Sequence, residues 1–154
     1  MKALKFAVLW GVLVLSFAGY GFWGAYDEAR QLHFVYPLGF TLEPTVGWAA
    51  YGVGTATLVV VGLIIVRGVR FGWLGKGWAV PLLLLSSSLS AVSPLVIIQL
   101  ATRVRDYTGM HLFHGEHGVW LVPSPLFDLG IPAFAFVVFV VWAFIPKPGR
   151  EEHR

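Results

Sequence analysis

The sequence predicts an all-α membrane protein, a single domain over residues 1–154, with four transmembrane helices in an up-down bundle and both termini in the cytoplasm. Three observations lead there. The chain is 57% hydrophobic and only 12% charged, whereas a soluble domain is about one quarter charged. Four apolar stretches each approach the length that a helix needs to cross a bilayer, about 20 residues. Basic residues gather on one side of the proposed fold.

The expected spans are residues 6–26, 46–66, 78–101 and 126–145, with outer loops over 27–45 and 102–125. None of the spans contains Lys or Arg, and Asp128 is the only charged residue within them. The run from Thr57 to Val66 is apolar on every side. Strands of a membrane barrel would alternate instead. A helix satisfies its own backbone hydrogen bonds in lipid, so such a run is stable there.

Local signals set the ends. Lys2 and Lys5 precede the first span, and Ser16-Phe17-Ala18 has the look of a signal-peptide cleavage site. The apolar run continues past it to Tyr26, so the segment is read as a retained helix. Glu43-Pro44-Thr45 offers an entry to the second span, and Ser124-Pro125 pairs an N-cap with a first-turn proline. Pro146, Pro148 and Gly149 end the fourth. Tyr26, Trp48, Trp73, Trp78 and Trp120 stand where an interfacial aromatic belt is expected.

Charge gives the orientation. The two tails and the loop over 67–77 hold eight of the eleven basic residues and two acidic ones, a net +6. The other side holds three basic and six acidic residues, a net −3. Cytoplasmic loops carry the excess of Lys and Arg. The expected location is therefore the plasma (cytoplasmic) membrane, multi-pass, with the bilayer as first partner. The basic balance is a topology signal and gives no support to nucleic-acid binding.

Composition also excludes chemistry. With no cysteine, the chain can form no disulfide, thiolate metal site, iron–sulfur cluster or c-type haem attachment. No expected span contains a histidine to hold b-type haem, or a lysine to hold retinal. No catalytic residue stands out, and no motif identifies a family.

Three features remain as candidates. His111, His114 and His117, with Glu116, crowd the second outer loop, and His33 lies in the first. Histidine with carboxylate suits zinc, copper or iron, and the competing reading is a set of ordinary interfacial histidines. Ser86, Ser90 and Ser93 share one face of the third span, ahead of Pro94 and Gln99. That face serves either helix packing or a polar path for a substrate, quinone head group or ion. Pro94 removes the donor to the Ser90 carbonyl, so a kink is expected there. Asp128 stands in the first turn of the fourth helix, where the dipole favours an anion, and Arg103 and Arg105 are its candidate salt-bridge partners.

Ranked, the functional expectations begin with an accessory or structural subunit of a larger membrane complex, of the respiratory or electron-transport kind. A small oligomeric transporter or channel using the Ser-rich third helix comes second. A metal-binding protein or enzyme using the outer histidines comes third. Other membrane subunits or further copies of the chain are the expected protein partners.

Overall fold

Long uninterrupted apolar runs with no room for water-bonded backbone fold as helices, because only the helix closes its hydrogen bonds within the segment. A computed structural model describes residues 2–32, 37–108 and 125–146. Four helices account for nearly all of them: α1 (Lys2–Gln31), α2 (Pro37–Phe71), α3 (Lys76–Thr108) and α4 (Pro125–Phe144). Three are long and apolar enough to cross a membrane, over Ala3–Gln31, Pro44–Phe71 and Lys76–Leu100. The described part of α4 is a shorter apolar helix, Leu129–Phe144.

The first three helices overrun the apolar stretches that predict them, and α4 matches its own within one residue at each end. Much of the connection expected over 27–45 is helical, since α1 runs to Gln31 and α2 begins at Pro37. The entry read at Glu43-Pro44-Thr45 is therefore displaced. Pro37 takes the first helical position, where its missing N–H costs nothing, and Pro44 lies inside α2, fully buried. The Thr45 hydroxyl donates to the Thr41 carbonyl at 2.6 Å, which supplies a side-chain donor in the turn that Pro44 disturbs. At the other end of the chain, α4 starts at Pro125 and stops at Phe144, two residues before Pro146.

The α2–α3 turn is built on Gly72, whose φ of +79° lies in the region that glycine enters without a Cβ penalty. Its N–H donates to the Val69 carbonyl, and that of Leu74 donates to the Gly68 carbonyl, so two of the last free carbonyls of α2 are satisfied.

α2 is the centre of the fold. Among the described residues it packs against all three other helices, whereas α1 packs against α2 alone and α4 joins both α2 and α3. Half of the most apolar window of α2 is buried, against none of that of α1. Glycines on α2 set these contacts. A Cβ at Gly52 would lie 2.8 Å from Phe17 Cβ and 3.2 Å from the Val14 backbone, so α1 approaches there almost to backbone contact. One at Gly54 would meet the Ser90 carbonyl oxygen of α3 at 2.7 Å, and one at Gly62 would fall inside the Phe139 ring of α4. Gly52 and Gly54 are about 200° apart around a helix of 3.6 residues per turn, so α1 and α3 flank α2 on opposite sides.

On α1 the reciprocal position is Gly21, whose missing Cβ leaves room for Trp48 at 2.5 Å. Trp48 also meets Tyr20 edge-on at 4.9 Å and Phe17 at 6.2 Å between ring centroids. It was placed with the interfacial belt on sequence grounds, and it is a packing residue between α1 and α2. Trp73 and Trp78, by contrast, are largely exposed. The apolar core lies among α2, α3 and α4, around Leu58, Val66, Leu83 and Phe139. Away from it the helices present large apolar side chains outward, Leu15 at 72% and Phe134 at 74% exposure.

Candidate functional site on the third helix

The third helix carries a run of serines, Ser86, Ser87, Ser88, Ser90 and Ser93, within its apolar length. Ser86 and Ser90 are buried and Ser93 is half-buried, all on the side toward α2. Each hydroxyl is already bonded. Ser86 Oγ donates to the Leu83 carbonyl at 2.9 Å, and Ser90 Oγ crosses to the Gly54 carbonyl of α2 at 2.8 Å. Ser93 Oγ donates to the Ser90 carbonyl at 3.2 Å. That carbonyl is the one that Pro94 leaves without a backbone partner, so the hydroxyl one residue earlier restores the lost bond. Pro94 itself is fully buried.

Sequence spacing could bring the three serines to one face, but it could not place the acceptors. The Ser90 bond exists because Gly54 lets the two backbones approach, and the partner lies 36 residues away. Ser87 Oγ is buried without a hydrogen-bond partner.

A second polar contact lies on the same side of α2. Trp10 Nε1 donates to Thr57 Oγ1 at 3.1 Å, and Thr57 Oγ1 donates in turn to the Val53 carbonyl at 2.7 Å. Thr57, Leu89, Ser90, Val92, Ser93 and Val96 line a cleft of about 310 Å³. A second cleft, of about 300 Å³, is lined by Leu95, Val96, Gln99, Leu100 and Arg103. Val96 belongs to both, so the two form one trough along α3. The sequence reading stopped at the serines and Gln99. The spacing of Leu89, Val92, Val96, Gln99 and Arg103 was the signal for this longer stripe.

At the opposite end of α2 and α3, cations sit against aromatic rings. The Arg70 guanidinium lies 5.1 Å from the Trp142 ring centroid, and its Nη2 donates to the Trp142 carbonyl at 3.1 Å. Lys76 Nζ lies 5.9 Å from the Phe144 ring and Arg67 5.0 Å from Phe71. A cation at a helix C-terminus meets the negative end of the dipole, and Arg70 does this for α4 from a neighbouring helix.

The remaining candidates fall elsewhere. His33, His111, His114, Glu116 and His117 lie outside the described residues. Asp128 is in the first turns of α4 and Arg105 near the end of α3, but neither side chain is among those described. Arg103 is exposed. Among the described residues no group of three His, Cys, Asp or Glu side chains comes together. Comparison with family models, with curated proteins and with solved structures finds no match to this chain.

Proposed function

We propose that the chain is an accessory integral membrane subunit of a larger membrane complex, held by four spans with both termini in the cytoplasm. The observation that carries this reading is the lopsided packing of α1. Among the described residues it touches α2 alone, and none of its most apolar window is buried. A long flank carrying Val8, Leu15 and Trp23 is therefore left for another surface. Within the bilayer, association is driven by close packing rather than by escape from water, so a glycine- and aromatic-bearing flank is suited to a protein neighbour as well as to lipid.

Other features support the reading. Positions 10, 17 and 21 of α1 meet 57, 52 and 48 of α2, as in helices of opposite direction. The 20 residues of α4 span about 30 Å at 1.5 Å per residue, the thickness of the hydrocarbon core. On α3 the hydroxyls of Ser86, Ser90 and Ser93 are bonded to backbone carbonyls, as in a helix-packing face. Complexes of the respiratory or electron-transport kind are the class in view, on the strength of the 16% aromatic content.

Extraction from native membranes in a mild detergent, followed by native mass spectrometry, tests the proposal. A second subunit in fixed stoichiometry is expected. A monodisperse monomer without companions would overturn it.

A further inference from the structure

The trough along α3 has a mostly apolar stretch and a polar end, and these point to one kind of ligand. Leu89, Val92, Val96, Gln99 and Arg103 recur at intervals of three and four, so they form one stripe on a helix of 3.6 residues per turn. From Leu89 to Arg103 the stripe measures about 21 Å at 1.5 Å per residue. One leaflet of the hydrocarbon core is about 15 Å deep. Arg103 is the first charged residue of α3 after Lys76, so it marks the polar end of the apolar run.

Arg103 is exposed and makes no ion pair among the described residues, and Gln99 lies one turn below it in the same cleft. The two clefts that share Val96 offer about 300 Å³ and 310 Å³ of open space. The hydroxyls at the far end, on Ser90, Ser93 and Thr57, are spent on backbone carbonyls. That end therefore asks for no polar group from a ligand, only for hydrocarbon.

We infer that this trough is a binding site for one anionic phospholipid, with an acyl chain along Leu89–Leu100 and the phosphate at Arg103 and Gln99. Guanidinium is the preferred partner of phosphate because its fork presents two parallel donors. A zwitterionic lipid would fill the same apolar trough but return less from Arg103.

The inference rests on α3 crossing the bilayer and is independent of whether companion subunits exist. Loss of the chain from membranes on alkaline carbonate washing would overturn the crossing itself. The lipid site is tested on the purified full chain by native mass spectrometry, with dioleoyl phosphatidylglycerol and dioleoyl phosphatidylcholine as competing probes. Preference for the anionic lipid of about fivefold is expected from a single interfacial arginine. Arg103→Gln should abolish that preference while leaving the melting temperature unchanged, and Arg103→Lys should retain much of it. Val96→Trp, which fills the junction of the two clefts, should reduce retention of both lipids. Equal retention of the two lipids by the native chain would overturn the site. So would a preference that survives Arg103→Gln, which would belong instead to Arg67, Arg70 and Lys76 at the other end.

Discussion

The hydroxyl of Ser90 and the carbonyl of Gly54 stand 2.8 Å apart, one bond joining the third helix to the second inside the bundle. It exists because Gly54 has no side chain. A Cβ there would sit 2.7 Å from the Ser90 carbonyl oxygen and 2.8 Å from Ser93 Oγ. The close approach makes the hydrogen bond possible, so a side chain at position 54 should cost both.

Substitutions at this crossing should separate the two contributions. Ser90→Ala removes the bond and keeps the approach, and is expected to cost about 0.6 kcal/mol, the mean for such bonds between membrane helices, and at most about 1.7 kcal/mol. Gly54→Val forces the helices apart and is expected to cost more, about 1 to 3 kcal/mol. Unfolding in a mixed-micelle denaturant titration checks both. An equal cost for the two would mean that packing at Gly54 is looser than the distances require.

Ser87 provides the contrast within the same run of serines. Its Oγ is buried without a hydrogen-bond partner, so Ser87→Ala removes an unsatisfied group. The same titration should show a neutral to stabilising change, up to about 1 kcal/mol.

Gly62 and Phe139 form the corresponding contact between α2 and α4, the ring occupying the space a side chain would need. Gly62→Ala should destabilise the bundle, and Phe139→Leu in the same chain should recover part of the loss. A double-mutant cycle is expected to give a coupling of about 0.5 to 3 kcal/mol.

Arg70 holds the end of α4 through the Trp142 carbonyl and ring. Arg70→Gln should release that end, at a cost of about 1 kcal/mol for the cation–ring and helix-terminus terms together. Faster amide exchange over 139–144, with α1 unchanged, is the expected readout. Arg70→Lys should restore part of the protection, since lysine keeps the charge and loses the fork.

Sidedness is open to direct labelling because the native chain has no cysteine. Gly75→Cys lies in the exposed α2–α3 turn, where a Cβ meets nothing within 4 Å. It should react with an impermeant maleimide only after the membrane is opened. His114→Cys in the second outer loop should react in intact cells. The reverse pattern would invert the orientation drawn from the charge balance.

The presence of the helices and their membrane character were legible in the residues. Apolar runs free of Lys and Arg leave the backbone no partner but itself, and that argument needs no neighbour. Some ends were legible too, because Pro125 and Pro146 act through the local chain. The start of α2 was not. Pro44 resembles a helix entry, and only the helical turns before it, with Thr45 bonded back to Thr41, turn it into an interior residue.

The sequence by itself determined that this protein is built from long apolar helices, that its charge is unevenly distributed, and that thiol chemistry is absent. Each of these follows from composition or from spacing along one segment. Only the tertiary structure decided which helix is central and what each small residue is for. Gly52, Gly54 and Gly62 look alike in the sequence, yet one receives α1, one α3 and one α4. It also assigned Trp48 to packing, bonded Ser90 to a carbonyl 36 residues away, and joined two clefts into a trough ending at Arg103. The reason is physical. An all-round apolar helix carries no stripe to say which side faces protein, so the partner on each side is chosen by the fit of surfaces that meet only in the folded bundle.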